Sequence, residues 1–282
     1  MEYTARMNEH ALVSRAAAAG SCVLLKNVAN TLPFAGTLDA PVRVAVFGIG
    51  GVGGSAVEAL ARMGIGTLDL IDNDRVCLTN LNRQIFATRS TVGRYKVDAA
   101  RERIADIDPE IIVNTYPTFY LPENAAQFDF RQFDYVVDAI DTVTAKIQII
   151  LQAQEAGVPV ISAMGCGNRT DPTKLTVTDL FRTSQDPLAR VMRRELKRRG
   201  VQRLKVVYST EPAIRPLEPD SSCQKPCSNS PEREQAPAGR RSLPGSTSFV
   251  PPAAGMMLAA AVINDLTHFN PETRTRGGQQ NQ

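Results

Sequence analysis

The 282-residue chain predicts an α/β fold: a Rossmann-like, mostly parallel sheet with helices on both faces. Three observations predict it. From Val42 onward, short strands that are apolar throughout alternate with helical segments, as expected of strands buried on both faces. The first strand runs into "GIGGVGG", in which Gly48, Gly50 and Gly53 fit G-x-G-x-x-G. The second strand closes on an acid, Asp72, at the distance such a unit requires.

The elements follow in order. "VRVAVF" is the first strand, and the glycine turn leads into the helix "SAVEALARMG", which closes on Gly64. "TLDLI" is a second strand. "TVGRYKVDAARERIADID" is a helix capped by Ser90 or Thr91 and stopped before Pro109. "IIVNTY" and "YVVDAI" are strands, "TVTAKIQIILQAQEAG" is a helix with a terminal glycine, and "VPVISA" is a strand. "KLTVTDL" alternates, as an exposed or antiparallel strand does. "DPLARVMRRELKRRG" is amphipathic. Leu188, Val191, Met192 and Leu196 share one face, and Arg190, Arg193, Arg194, Lys197 and Arg198 share another. "KVVYS" is a strand, residues 211–248 form a polar loop rich in Pro, Ser, Glu and Arg, and "AAGMMLAAAVINDL" is a buried helix. The expected layout is an atypical extension over 1–40, one nucleotide-binding domain over 41–269 and a disordered tail over 270–282.

Composition narrows the function. Apolar residues make up 43% and charged residues 22%, as in ordinary globular proteins, and a net charge of +3 selects no partner. No apolar run has the length of a membrane span, and the N-terminus lacks a secretory signal pattern. Five scattered cysteines do not suggest a disulfide scaffold, so a reducing cytoplasm is expected. Two histidines leave little for a His-based triad or metal site.

Glycine turn, helix N-terminus and Asp72 together suit a nucleotide: the turn admits a phosphate, and the acid holds ribose hydroxyls. This much fits NAD as well as ATP. The stretch "LIDNDRVCLTNLNRQ" separates the two. A dinucleotide needs one acid there, whereas Asn80, Arg83 and Gln84, with Lys96 on the next helix, offer amide donors and cations for a polyphosphate. Asp141, after "YVVDAI", is a hard oxygen ligand for Mg²⁺. The expected catalytic residues are Arg83, Lys96 and Asp141.

"VAVFGIGGVGG", "LIDNDRVCLTNLNRQ", "TVGRYKVDAARERI" and "VVDAIDTVTAK" resemble the adenylating enzymes related to ubiquitin-activating enzymes. Within that group, "ISAMGCGNRTDPTKLTVTDL", "DPLARVMRRELKRRG", "KVVYSTEPAIRP" and "LPGSTSFVPPAAGMMLAAAVINDL" resemble the tRNA threonylcarbamoyladenosine dehydratase branch. The resemblance spans roughly Val42 to Phe269. It implies that Gly48, Gly50, Gly51 and Gly53 form the phosphate turn and that Asp72 holds the ribose. It implies that Asn80, Arg83, Gln84 and Lys96 contact the triphosphate of ATP, and that Asp141 binds Mg²⁺. The implied reaction is dehydration of a threonylcarbamoyl group on tRNA through an acyl-adenylate, in a homodimer. Alternatives are adenylation of a ubiquitin-like sulfur-carrier protein, or an ATP- and tRNA-binding relative with impaired catalysis.

The basic helix fits either tRNA contact or a solvated face. Cys223 and Cys227 are spaced C-x-x-x-C and read as free thiols rather than a zinc site. Cys166 reads as a buried structural residue, with a catalytic thiol as the alternative, and Cys77 as a packing residue. Residues 8–34 depart from the rest and resemble a segment of family-3 glycoside hydrolases, as in a chimera. Arg15, in "VSR", sits far from Gly48 for a cross-subunit arginine, and Gly54 stands where relatives often have Ser.

Overall fold

A computed structural model describes residues 41–214, 245–270 and 275–276. The expectations for the extension over 1–40, for Arg15, for Cys223 and Cys227 and for most of the loop over 211–248 lie outside the described residues. Seven strands form one sheet: β1 (Arg43–Phe47), β2 (Thr67–Ile71), β3 (Ile112–Tyr116), β4 (Tyr135–Asp138), β5 (Val160–Ala163), β6 (Leu175–Asp179) and β7 (Lys205–Ser209). Their spatial order is β3-β2-β1-β4-β5-β7-β6, parallel except for β6, which pairs antiparallel with β7.

Helices cover both faces: α1 (Gly51–Arg62), α2 (Lys96–Ile107), α3 (Val143–Ala156), α4 (Pro187–Arg198) and α5 (Val250–Leu266). The alternation of side chains along a strand assigns them to two cores. Val44 and Val46 join Leu60, Ile104 and Leu258 of α1, α2 and α5 on one face. Ala45 and Phe47 join Phe128, Phe130 and the α3 residue Ile149 on the other. A third apolar cluster lies between α3 and α4, where Ile147 and Ile150 meet Met192 and Leu196. In parallel α/β sheets the crevice lies beyond the strands' C-terminal ends, where successive connections leave in opposite directions. Here that point falls between β1 and β4, beside Gly48 and Ala139.

Three helix starts differ from expectation. α1 begins at Gly51, four residues before Ser55, because the glycine turn itself enters the first turn of the helix. α2 begins at Lys96; Thr88 and Thr91 instead close a separate 3₁₀ turn at Arg89–Thr91, through Thr88 N donating to Thr91 Oγ1 at 2.9 Å. α5 begins at Val250, since prolines are tolerated in a helix's first turn, where no N–H partner is lost. Phe269–Asn270 pairs antiparallel with Thr275–Arg276, and the rest of the tail expected over 270–282 lies outside the described residues.

Candidate nucleotide site

The glycine turn is set by two close approaches. Gly48 has φ +88°, a conformation L side chains rarely adopt, and a Cβ there would fall 2.8 Å from the Ala139 carbonyl. At Gly53 a Cβ would fall 1.8 Å from the Gly48 carbonyl, so only glycine lets the helix press on the turn. Gly54 N donates to Gly50 O at 2.9 Å, the first closed turn of α1. The preceding N–H groups of the helix point into the crevice, where an anion would satisfy them.

Asp72 is tied to this turn. Its Oδ2 accepts from Ile49 N at 2.6 Å and its Oδ1 from Asp74 N at 2.8 Å. An ionised carboxylate has about four acceptor sites, so two remain for ribose hydroxyls. Burial pushes the Asp72 carboxyl above the usual range, and Lys96 and the two N–H donors oppose that shift. Lys96 Nζ lies 2.6 Å from Asp74 and 3.8 Å from Asp72. The structure thus brings Lys96 to Asp72 as well as to the crevice, and Asp74 is a partner that the sequence did not single out.

The loop after β2 folds back over the turn. Asn80 Oδ1 accepts from Cys77 N at 3.0 Å, which fixes the 3₁₀ turn Leu78–Asn80. What Asn80 has to offer a phosphate is therefore its Nδ2 donors. Arg83 packs on the turn: a Cβ at Gly51 would lie 3.3 Å from both Arg83 Cγ and the Arg83 carbonyl. Its Nη1 donates to Thr79 O at 3.0 Å and to Asn82 Oδ1 at 2.9 Å. Partial burial lowers its pKa from the ordinary value, yet an arginine so placed remains a cation at neutral pH. Gln84 is buried, with its Nε2 3.9 Å from where a Gly50 Cβ would be. Cys77, expected to be a packing residue, is half-buried at the start of the loop, where Asn80 holds its N–H.

Asp141 is exposed at the mouth of the crevice, three residues past the end of β4, and its Oδ1 accepts only a long 3.4 Å bond from Thr142 Oγ1. Below it is a support that the sequence did not reveal. Lys146 Nζ, fully buried on α3, donates to Asp138 Oδ2 and to Ile140 O, both at 2.9 Å, and Ser162 Oγ donates to Asp138 at 2.5 Å. These bonds fix Ala139 and Ile140 against Gly48. Cys166 is a buried thiol, pushed up to about 12 by burial and by Asp186, so it is not a nucleophile at neutral pH.

The residues expected to hold a nucleotide thus converge: Gly48, Gly50, Gly51, Gly53, Asp72, Asn80, Arg83, Gln84, Lys96 and Asp141 all lie at the C-terminal edge of β1, β2 and β4. Arg190, Arg194, Lys197 and Arg198 lie on the exposed face of α4. Arg193 is a correction: it is half-buried, and its Nη1 turns inward to donate to the Thr183 carbonyl, at 2.9 Å, and to the Thr183 hydroxyl, which itself donates to Leu180 O. No helix among the described residues is long and apolar enough to cross a membrane.

The geometry matches known proteins. The family model described as the ThiF family matches residues 38–280. The chain belongs to the ThiF family. A tRNA threonylcarbamoyladenosine dehydratase of Bacillus subtilis is 40% identical over 225 residues, 79% of this chain and 86% of that protein. The crystal structure of the E. coli tRNA N6-threonylcarbamoyladenosine dehydratase TcdA in complex with AMP matches with a TM-score of 0.69 at 36% identity, covering 80% of this chain and 86% of that one. The same enzyme in complex with ATP matches with a TM-score of 0.68 at 35% identity, with the same coverage. This member of the ThiF family therefore shares the fold of an enzyme seen with both ATP and AMP.

Proposed function

We propose that this chain is an ATP-dependent tRNA threonylcarbamoyladenosine dehydratase. The observation that carries the reading is the closure of the Asn80–Gln84 loop on the glycine turn, with Arg83 against Gly51. A dinucleotide site has no use for a guanidinium there, whereas a triphosphate does. The family relationship and the 40% identity over most of both chains supply the substrate.

The first step converts a poor electrophile into a good one. The carboxylate of the threonylcarbamoyl group attacks the α-phosphorus of ATP, and pyrophosphate leaves. Arg83 and the Nδ2 of Asn80 bind the charge that develops on the phosphates, and the α1 N–H groups hold the α-phosphate in place. Lys96, bridging Asp74 and Asp72, orients the ribose acid and adds positive charge beside the phosphates. The carbamoyl group then closes on the activated carbonyl and AMP departs. The ring closure is intramolecular, so positioning suffices and no enzyme nucleophile is required. This accords with the buried, protonated state of Cys166.

Asp141 fits Mg²⁺. No group of three candidate ligands gathers among the described residues, and Mg²⁺ takes one or two carboxylates, with the remaining ligands from phosphate and water. When bound, the metal neutralises phosphate charge; Asp141 supplies the protein oxygen that anchors it. The exposed Arg190, Arg194, Lys197 and Arg198 of α4 contribute a basic stripe for tRNA phosphates. A homodimer in the cytoplasm is part of the same proposal. A sulfur-carrier protein as substrate is the competing reading within this chemistry.

The test is mass spectrometry of nucleosides from threonylcarbamoylated tRNA after incubation with protein, ATP and Mg²⁺. Loss of one water with wild type, and its abolition in Arg83→Ala, supports the reading. No AMP with tRNA, but pyrophosphate exchange with a Gly-Gly-ended carrier protein, replaces it with the alternative.

A further inference from the structure

Arg169 heads the largest wholly buried side chains of the described residues, at 1% exposure. It follows the C-terminal end of β5 in "MGCGNR", beside β4. A guanidinium has five donors and is always charged. Here Nη2 makes one long contact, 3.5 Å to Asp186 Oδ2, while Nε and Nη1 have no acceptor at all. Buried polar groups without partners are rare enough to require a reason.

The neighbouring anions cannot supply the missing bonds. Asp138 is engaged by Lys146 and Ser162, and Glu211, whose carboxyl Arg169 helps to hold low, spends its oxygens on Thr170 and Asp171. Asp186 caps α4, its Oδ1 accepting from Ala189 N at 2.7 Å. An acceptor for Arg169 therefore comes from outside this set.

Its place in the fold says what that acceptor is. Across the sheet edge, Asp72 follows β2, the glycine turn follows β1, Asp141 follows β4 and Arg169 follows β5, so Arg169 lies on the side of the turn opposite the ribose acid. The segment 245–247 joins the two sides. Asn168 N donates to Gly245 O at 2.8 Å, Gly245 N to Asn168 Oδ1 at 2.6 Å, and Thr247 Oγ1 to Arg169 O at 3.4 Å. One residue on from Gly245, Ser246 O accepts from Asn82 Nδ2 at 2.9 Å, next to Arg83. Pro251, in the first turn of α5, sits 3.1 Å from where a Gly51 Cβ would be. Arg169 and Arg83 are thus tied to the same segment, from opposite ends of the crevice.

We propose that Arg169 is the receptor for the acyl substrate: its unpaired N–H groups donate to oxygens of the threonylcarbamoyl group, a ureido-carboxylate, and so present the acid to the α-phosphate. This rests on the function proposed above. Arg83 and Lys96 serve the nucleotide, and Arg169 serves the other reactant. Replacing it therefore leaves ATP affinity alone and removes the preference for the modified tRNA.

The experiment compares wild type, Arg169→Gln and Arg169→Lys as full chains. It measures ATP affinity by calorimetry, the binding of threonylcarbamoylated and unmodified tRNA, and tRNA-dependent AMP formation. Wild type is expected to bind modified tRNA more tightly than unmodified. In Arg169→Gln that ratio falls to near one, kcat/KM drops by at least about 100-fold as two charge-assisted hydrogen bonds are lost, and affinity for ATP and for unmodified tRNA stays within twofold. Arg169→Lys restores part of the ratio, and it carries the comparison if the Gln variant does not fold. A purely structural role would lower both tRNA affinities together. Active wild type with an unchanged ratio in folded Arg169→Gln or Arg169→Lys overturns this inference alone. Inactive wild type overturns the proposed function and this inference with it.

Discussion

Gly53→Ala tests the geometry of the nucleotide site most directly. The added Cβ would stand 1.8 Å from the Gly48 carbonyl oxygen, against a normal C···O contact of about 3.3 Å. The turn must therefore open by roughly 1.5 Å, and because both sides are backbone no rotamer change relieves it. A shift of that size withdraws the α1 N–H groups from a bound phosphate. Each hydrogen bond to a charged group contributes about 1.5–3 kcal/mol, so losing two amounts to about 3–6 kcal/mol, at least a 100-fold weaker ATP Kd. Calorimetric titration with ATP measures it. Gly157→Ala is the control: it has φ +71° and nothing within 4 Å of its Cβ position. That variant costs about 1–2 kcal/mol of stability and leaves ATP affinity unchanged. Folded Gly53→Ala binding ATP within threefold of wild type would refute the reasoning, because the turn would then not be what holds the phosphate.

Three further outcomes follow from buried titratable groups. Lys146→Met strands the carboxylate of Asp138, which is completely buried; about 3–5 kcal/mol of stability is lost, seen as a Tm drop on the order of 10 °C, and adding Asp138→Asn restores part of it. A Tm within two or so degrees of wild type contradicts this account. At Glu58, burial pulls the carboxyl upward, but the hydrogen bonds from Arg103 and Arg62 outweigh it and hold the group below the usual carboxylate range. Its stabilisation is present above the unfolded pKa and disappears as pH falls through the lower folded value. Thermal melts between about pH 5 and pH 3 should therefore lose Tm faster in wild type than in Glu58→Gln; parallel slopes would contradict this. Cys166, with its thiol raised to about 12, should resist iodoacetamide at pH 8 in the native protein and react once unfolded, as peptide mapping can follow; rapid native labelling would show the thiol is not sealed.

Much of this architecture was legible because its signals are local. Uniformly apolar strands, the spacing of Gly48, Gly50 and Gly53, and the acid at Asp72 each report a backbone requirement within a few residues. Helix starts were less legible where two local rules compete. Glycines 51, 53 and 54 argue against helix by propensity, yet the tight packing at Gly53 requires them inside it. Ser90 and Thr91 have the chemistry of a cap, but they serve a 3₁₀ turn that Gly93, at φ +88°, carries onward. Pro251 and Pro252 look like breakers and instead occupy the first turn of α5.

The hidden parts of the site are long-range pairs. Lys146 sits within the apolar run "AKIQII" and Asp138 closes an apolar strand. A charge of each sign in otherwise apolar segments was the available signal, but sequence does not say that the two meet. Arg169 gave less warning still, since an arginine in a turn ordinarily reaches solvent. Its burial depends on how the chain returns at 245–247, far away in sequence.

Glu195 on α4 gives the basic stripe a built-in competitor. It contacts Arg194 at 3.0 Å, Arg198 at 3.6 Å and Arg199 at 2.9 Å, all of them facing solvent. A polyanion laid along this helix must take those cations from an acid that already holds them, whereas Arg190 and Lys197 carry no such tether among the described ion pairs. Attraction along the stripe is therefore uneven: strong at Arg190 and Lys197, muted at Arg194 and Arg198, with one carboxylate setting the contrast.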